Sequence, residues 1–161
     1  MDELLMFIEK YKNHLVRHAF LRLGCLEDAE DIVQDVFVKI YSQKIFRKIE
    51  NPEVYFYKMT MNACLDFMRR EKVKFRVHQS FESENQTVSE NDAIQNLKLE
   101  EEFNRINNML KTLPDEQAEV VRFRIIDELS FKEITAILGE PESTIKSRFQ
   151  YAIKKLKNYG L

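Results

Sequence analysis

The chain has 161 residues, 44% of them hydrophobic and 32% charged, with only 3 Gly and 3 Pro; this suits an all-helical fold of one ordinary or two small domains better than a turn-rich β fold. A net charge of −2 excludes a protein that coats nucleic acid by bulk attraction, so any DNA affinity has to come from local basic faces or from a partner. Cys25 and Cys64 fit no metal-knuckle spacing and read as reduced thiols, and the acidic start Met1-Asp2-Glu3 leads into no long apolar run, so neither a signal peptide nor a membrane span is expected.

Leu4, Ile8, Tyr11, Leu15, Ala19 and Leu23 recur near helical spacing and predict a first amphipathic helix that stops at Gly24. A second helix begins near Leu26. Glu27, Asp28, Glu30 and Asp31 crowd its first turns, where the helix dipole favours negative charge. Its apolar stripe is Ala29, Ile32, Val33, Val36, Phe37, Ile40 and Tyr41, and the short link predicts antiparallel packing on the first helix. Asp31, Gln34, Asp35 and Val38 flank the stripe; they suit a partner with a basic surface, or simply a solvated face.

Ser42 to Glu50 reads as a loop, and Asn51-Pro52 as the cap and first residue of a third helix. Its expected buried side is Val54, Tyr57, Met61, Leu65 and Met68. A second stripe, Tyr55, Lys58, Asn62, Asp66 and Arg69, turns basic towards Arg70, Lys72, Lys74 and Arg76. Rings beside cations suit exposed bases, since rings stack while cations hold the backbone, although charged helix faces commonly just meet water. From His78 to Asn96 the composition turns polar, the mark of a linker.

Leu99, Phe103, Ile106, Leu110 and Leu113 predict a fourth helix, and Pro114-Asp115-Glu116 opens a fifth with Thr112 as a possible cap. Val120 to Ile126 is ambiguous, because Val121, Phe123 and Ile125 also alternate like a strand; context favours helix. Ser130 and Glu133 have capping-box spacing and start a sixth helix. Gly139 supplies a left-handed turn residue, and Glu140-Pro141-Glu142 leads to a seventh helix. Ile134, Leu138 and Ile145 are spaced to pack the last two helices together. The result is a helix-turn-helix whose second helix and tail carry Lys146, Arg148, Lys154, Lys155 and Lys157, with no acidic residue from Ser143 onward. Such a helix is shaped for the major groove, and Ser143, Thr144, Lys146, Ser147, Arg148 and, a turn later, Tyr151 are the candidate contacts.

Catalytic chemistry is not expected. His14 and His18 lie one turn apart and could share a metal, but the HExxH pattern is absent and a packed or surface role is the simpler reading. There is no Gly-rich phosphate loop and no nucleophile set. No cofactor, metal or catalytic residue is therefore assigned.

Two stretches resemble one family. Glu27-Asp28-Ala29-Glu30-Asp31-Ile32-Val33-Gln34-Asp35-Val36-Phe37, with Asn51-Pro52 through Asn62-Ala63-Cys64-Leu65-Asp66-Phe67-Met68-Arg69-Arg70, is similar to region 2 of bacterial sigma factors of the extracytoplasmic function (ECF) group. Leu113-Pro114, Leu129-Ser130-Phe131-Lys132-Glu133-Ile134 and Thr144-Ile145-Lys146-Ser147-Arg148 resemble region 4 of the same proteins. The resemblance implies two small helical domains, region 2 over 1–77 and region 4 over 99–161, joined by a flexible linker at 78–98. It implies that Asp31, Gln34, Asp35 and Val38 bind the clamp helices of the RNA polymerase β′ subunit. Tyr55, Lys58, Asn62, Arg69 and Arg70 would contact the promoter −10 element, with a flipped base held between the third helix and the loop near Ile45–Glu53. Region 4 would read the −35 element and touch the polymerase β flap, and an anti-sigma factor is an implied partner. Tyr55 stands where a tryptophan is frequent, Met61 where a basic residue is, Thr135 in place of alanine at the helix crossing, and Glu140 in place of an apolar turn residue. The function implied is a non-enzymatic cytoplasmic factor that directs polymerase to promoters and aids strand opening. The alternatives are a sigma-like decoy for an anti-sigma factor and a dimeric helix-turn-helix regulator.

Overall fold

A computed structural model of the chain describes residues 2–77 and 90–158. Helix α1 runs Glu3–Leu23, capped by the Asp2 side chain, which accepts from the Leu4 N–H. It ends at Gly24, whose φ of 77° is the left-handed conformation that a side chain resists. Helix α2 runs Leu26–Gln43 and returns antiparallel, burying Ala29, Ile32, Val33, Val36, Phe37 and Ile40 against α1. Tyr41, expected in that stripe, is exposed instead. A 3-10 turn, Phe46–Lys48, then leads to α3, Pro52–Val77, whose first turn is capped as expected by Asn51 Oδ1 accepting from the Val54 N–H (3.3 Å).

The buried side of α3 differs from the sequence expectation. Phe56, Tyr57, Thr60, Met61 and Cys64 lie inside, while Leu65 and Met68 reach solvent. The face is turned because α3 is covered from two directions, by α1 and α2 on one side and by α6 on the other. Met61 is thus a core residue at a position where the resemblance makes a basic residue frequent.

Helix α4 is Glu90–Leu110, so it starts inside the stretch expected to be linker. Leu97 and Lys98 are exposed there; low burial does not forbid a helix when its residues are good helix formers. The rest of the expected linker, 78–89, and the side chains of Lys74, Arg76 and Leu99 lie outside the described residues. Helix α5, Asp115–Val121, starts after Pro114, and Thr112 does not cap it, its hydroxyl donating back to the Met109 carbonyl (2.7 Å). The ambiguous segment is helical but forms a π-turn, Arg122–Ile126, in which the Asp127 N–H donates to the Arg122 carbonyl (3.0 Å). Helix α6, Phe131–Leu138, carries the full capping box: the Glu133 N–H donates to Ser130 Oγ (3.1 Å) and the Ser130 N–H to Glu133 Oε1 (3.0 Å). Gly139, at φ 70°, turns the chain into α7, Glu142–Asn158.

The cores of the two halves are not separate. Val120, Phe123, Leu129, Ile134, Ile137 and Ile145 join the buried residues of α1, α2 and α3 in one apolar cluster. A smaller cluster of Leu110, Leu113, Ala118, Val121, Ala152 and Leu156 holds α4, α5 and α7 together.

Candidate nucleic-acid interface

The helix-turn-helix is built by α6, the Gly139 turn and α7. Ile134, Ile137 and Ile145 are fully buried and fix the crossing, with Phe131 set edge-on to Phe149 (5.5 Å between ring centres). This leaves Ser143, Lys146 and Ser147 exposed on the first turns of α7, with Thr144 half-buried and Tyr151 exposed one turn further on. Lys146 lies 3.3 Å from Glu142 and over the Phe131 ring. Arg148, the other cation among the candidate contacts on α7, is less accessible than Lys146. It is only 20% exposed and stands between Glu116 (3.5 Å) and Glu140 (3.8 Å). Glu140, an acid unusual for the turn, therefore contacts a basic residue of α7. At the crossing, Thr135 Oγ1 is buried without a hydrogen-bond partner.

The second basic face is on α3. Lys58, Asn62, Arg69 and Arg70 are exposed, and Tyr55 is half-buried, its ring edge-on to Phe56. Arg69 pairs with Asp66 (2.8 Å), both well exposed, so the pair holds little energy and gives way readily. The loop before α3 is anchored by Phe46, whose ring meets Phe7 (5.6 Å) and Phe56 (6.3 Å). That anchoring leaves Arg47 and Lys48 exposed on the same approach to α3. Sequence reading passed over these two cations because they sit in a segment without periodicity.

On α2, Asp31, Gln34, Asp35 and Val38 are all exposed and share one face by their three-and-four spacing. Val38 is 58% and Tyr41 66% exposed, so the acidic face carries an apolar and an aromatic group at its C-terminal end. Tyr41 was hidden from sequence analysis because it also satisfies the period of the buried stripe. A further surface lies on the far side of the helix-turn-helix: a groove of about 410 Å³ lined by Ile106, Leu110, Ile125, Ile126, Ile153 and Leu156, with Ile125 exposed at its edge.

His14 is exposed and His18 is buried, so the two do not form a metal pair; among the described residues there is no cluster of metal-ligating side chains. Nor is any helix among them long and apolar enough to cross a membrane.

Comparison with known proteins agrees with this geometry. The family model for sigma-70 region 2 matches residues 7–73 and that for sigma-70 region 4 matches residues 109–158. The ECF RNA polymerase sigma factor SigW of Bacillus subtilis is 28% identical, over 93% of this chain and 84% of its own length. The RNA polymerase sigma factor SigV of the same species is 29% identical, over 93% and 86%. Among solved structures, CnrH in complex with the cytosolic domain of CnrY superposes with a TM-score of 0.65 at 17% identity, covering 97% of this chain and 86% of that one. The sigma factor RpoE of Bartonella quintana in complex with the anti-sigma factor NepR does so at 0.63 and 20%, covering 94% of each. These two structures show the fold; the two region models, in order and together spanning most of the chain, show the family. The chain belongs to the sigma-70 family as an ECF sigma factor, a non-enzymatic initiation factor that directs RNA polymerase to promoters.

Proposed function

We propose that the three exposed faces divide the work of promoter recognition. The α7 face of Ser143, Thr144, Lys146, Ser147, Arg148 and Tyr151 enters the duplex major groove at the −35 element, within the region 4 domain, 99–161. Tyr55, Lys58, Asn62, Arg69 and Arg70 of α3, together with Arg47 and Lys48, receive the −10 strand after opening, within the region 2 domain, 1–77. Unstacking a base costs a few kcal/mol, and a matched pocket returns that only for the right base. The acidic face of Asp31, Gln34, Asp35 and Val38, extended by Tyr41, docks on the basic β′ clamp helices. The apolar groove beside α7 seats an apolar segment of the β flap. RpoE is solved with the anti-sigma factor NepR bound and CnrH with the cytosolic domain of CnrY, which supports an anti-sigma partner for this chain too, and the protein acts in the cytoplasm beside polymerase.

The observation that carries this reading is the helix-turn-helix itself. A buried Ile145 and a left-handed Gly139 leave Ser143, Lys146 and Ser147 outward on the turns that meet bases. The net charge of −2 fits a factor whose nonspecific DNA attraction comes from polymerase. The test is in vitro transcription with core polymerase on a genomic fragment library, with and without the chain. New start sites sharing two spaced elements are expected. Lys146→Ala with Ser147→Ala should cut transcription from them at least tenfold while leaving polymerase binding intact, and Asp35→Ala should weaken polymerase binding. The absence of any chain-dependent transcript would point to a decoy or an ordinary regulator, and unchanged transcription from the α7 double variant would remove the −35 role from that face.

A further inference from the structure

Between the two halves lies a buried polar cluster that promoter recognition does not use. His18 on α1 is 3% exposed. Its Nδ1–H donates to Asp127 Oδ2 (2.9 Å), beyond the π-turn, and its Nε2 accepts from the Arg22 Nε–H (3.1 Å). The two nitrogens of Arg22 beyond Nε donate to both carboxylate oxygens of Glu119 on α5. Arg122 of the π-turn stands against the same carboxylate (3.5 Å). The His18 ring is stacked on Phe123 (5.4 Å) and meets the edge of Tyr57 of α3 (5.5 Å). The hydrogen bonds from His18 to Asp127 and from Arg22 to Glu119 tie the first half of the chain to the second.

This packing has a geometric cost for function. The centres of the −10 and −35 elements are about 25 positions apart, about 85 Å of duplex at about 3.4 Å per base pair. A compact chain of 161 residues is only about 40 Å across. With α6 packed on α3, the two DNA-facing helices cannot reach both elements together.

We propose that the His18–Arg22–Glu119–Asp127 cluster is an acid-labile clasp that holds the free chain closed, and that its release lets the two halves separate. The neutral imidazole fills both of its roles, one nitrogen donating and one accepting. A second proton would go to Nε2, turning the acceptor into a donor that faces the Arg22 N–H and adding a positive charge beside a guanidinium. Asp127 and Glu119 favour that proton; Arg22 opposes it, and burial opposes it most, so the His18 pKa lies below the ordinary value of 6.5. Tyr57 and Phe123 close the site to water. The sign follows from linkage: the open form, with an ordinary imidazole, takes up the proton first. Closure is therefore undiminished above about pH 6.5 and weakens as pH falls from there towards the lowered value. Among the described residues, the contact of Glu53 with Glu133 also crosses the interface and titrates with opposite sign. Burial and the neighbouring Glu133 raise the Glu53 pKa above 4.5, so protonation of Glu53 at lower pH favours closure.

The clasp rests on the promoter-reading function only for its purpose, and its test needs neither polymerase nor DNA. Small-angle scattering of the free full-length chain measures the radius of gyration at about pH 8 and about pH 5.5, with helix content followed by circular dichroism. The wild type should be larger at the lower pH with its helices intact, reflecting a shift of up to about tenfold in the closed–open ratio over the pH unit below 6.5, and Glu53→Gln should expand likewise. His18→Gln, which cannot charge, should have the same radius at both values. Asp127→Ala should be expanded at both. A wild type whose radius is unchanged between the two conditions, or a His18→Gln chain that keeps the wild-type response, overturns the clasp and leaves promoter recognition standing. Loss of promoter-directed transcription with the acid response intact overturns only the latter.

Discussion

Two residues have environments that can be checked one at a time. Cys64 is fully buried, and burial pushes its thiol up to about 11, whereas Cys25 is exposed. Thiolate is the reactive form, and partial burial beside Asp28 raises the Cys25 thiol above 9.0 as well, so near pH 8 the native chain should present one accessible thiol to a disulfide reagent, slower than a free cysteine, with the second appearing only in denaturant. Two accessible thiols in the native state would contradict the packing of α3. Thr135 carries a buried hydroxyl with no partner, and such a group costs about 1–3 kcal/mol. Thr135→Ala removes it and adds helix propensity at the loss of one methyl, so stability in urea should hold or rise by about 1 kcal/mol. A clear fall would mean the hydroxyl has an acceptor after all.

At the scale of elements, the two left-handed glycines separate backbone strain from crowding. A Cβ at Gly139 meets nothing within 4 Å, so Gly139→Ala should cost only the conformational strain, about 1–2 kcal/mol. A Cβ at Gly24 would stand 3.0 Å from the Phe103 ring, so Gly24→Ala carries the same strain plus the displacement of that ring. Equal costs in denaturant titrations would show that α4 does not press on the α1–α2 junction. Both stops were legible beforehand, as were the Asn51 cap and the Ser130–Glu133 box, because a cap is a local pattern of side chain and backbone. The buried side of α3 was not. Its inner positions, Phe56, Thr60 and Cys64, include a hydroxyl that no hydropathy pattern would place inside, and α3 also packs on α6 from the other half of the chain. The π-turn escaped for a related reason: one extra residue in a turn moves every later side chain by about 100°, and local sequence does not announce it. That turn sets Asp127 against His18. Of the exposed faces proposed above as interfaces, the α7 face and the acidic α2 face were visible as spacing, while the exposure of Tyr41, Arg47 and Lys48 became visible only in the fold.

At the scale of the whole molecule, the shared core predicts that the two halves unfold together. Phe123, Leu129 and Ile134 belong to the same apolar cluster as Leu15, Phe56 and Tyr57, so near pH 8 thermal unfolding should be a single transition by both circular dichroism and calorimetry. Acid should weaken it in steps of known sign. Burial pulls the Glu119 carboxyl up, but Arg22 and Arg122 together hold it below 4.5. Its contribution is therefore complete above that value and is lost as pH falls further, beneath the window in which His18 acts. Two resolved transitions near pH 8 would show that the halves are thermodynamically independent. The charges of the molecule also bear on life in a crowded cell. Arg148 enters the recognition helix already embraced by Glu116 and Glu140, so a polyanion has to displace carboxylates to reach it. On the proposed reading of α7 as the groove-entering helix, that exchange weakens capture of any polyanion that does not also engage the rest of the α7 face.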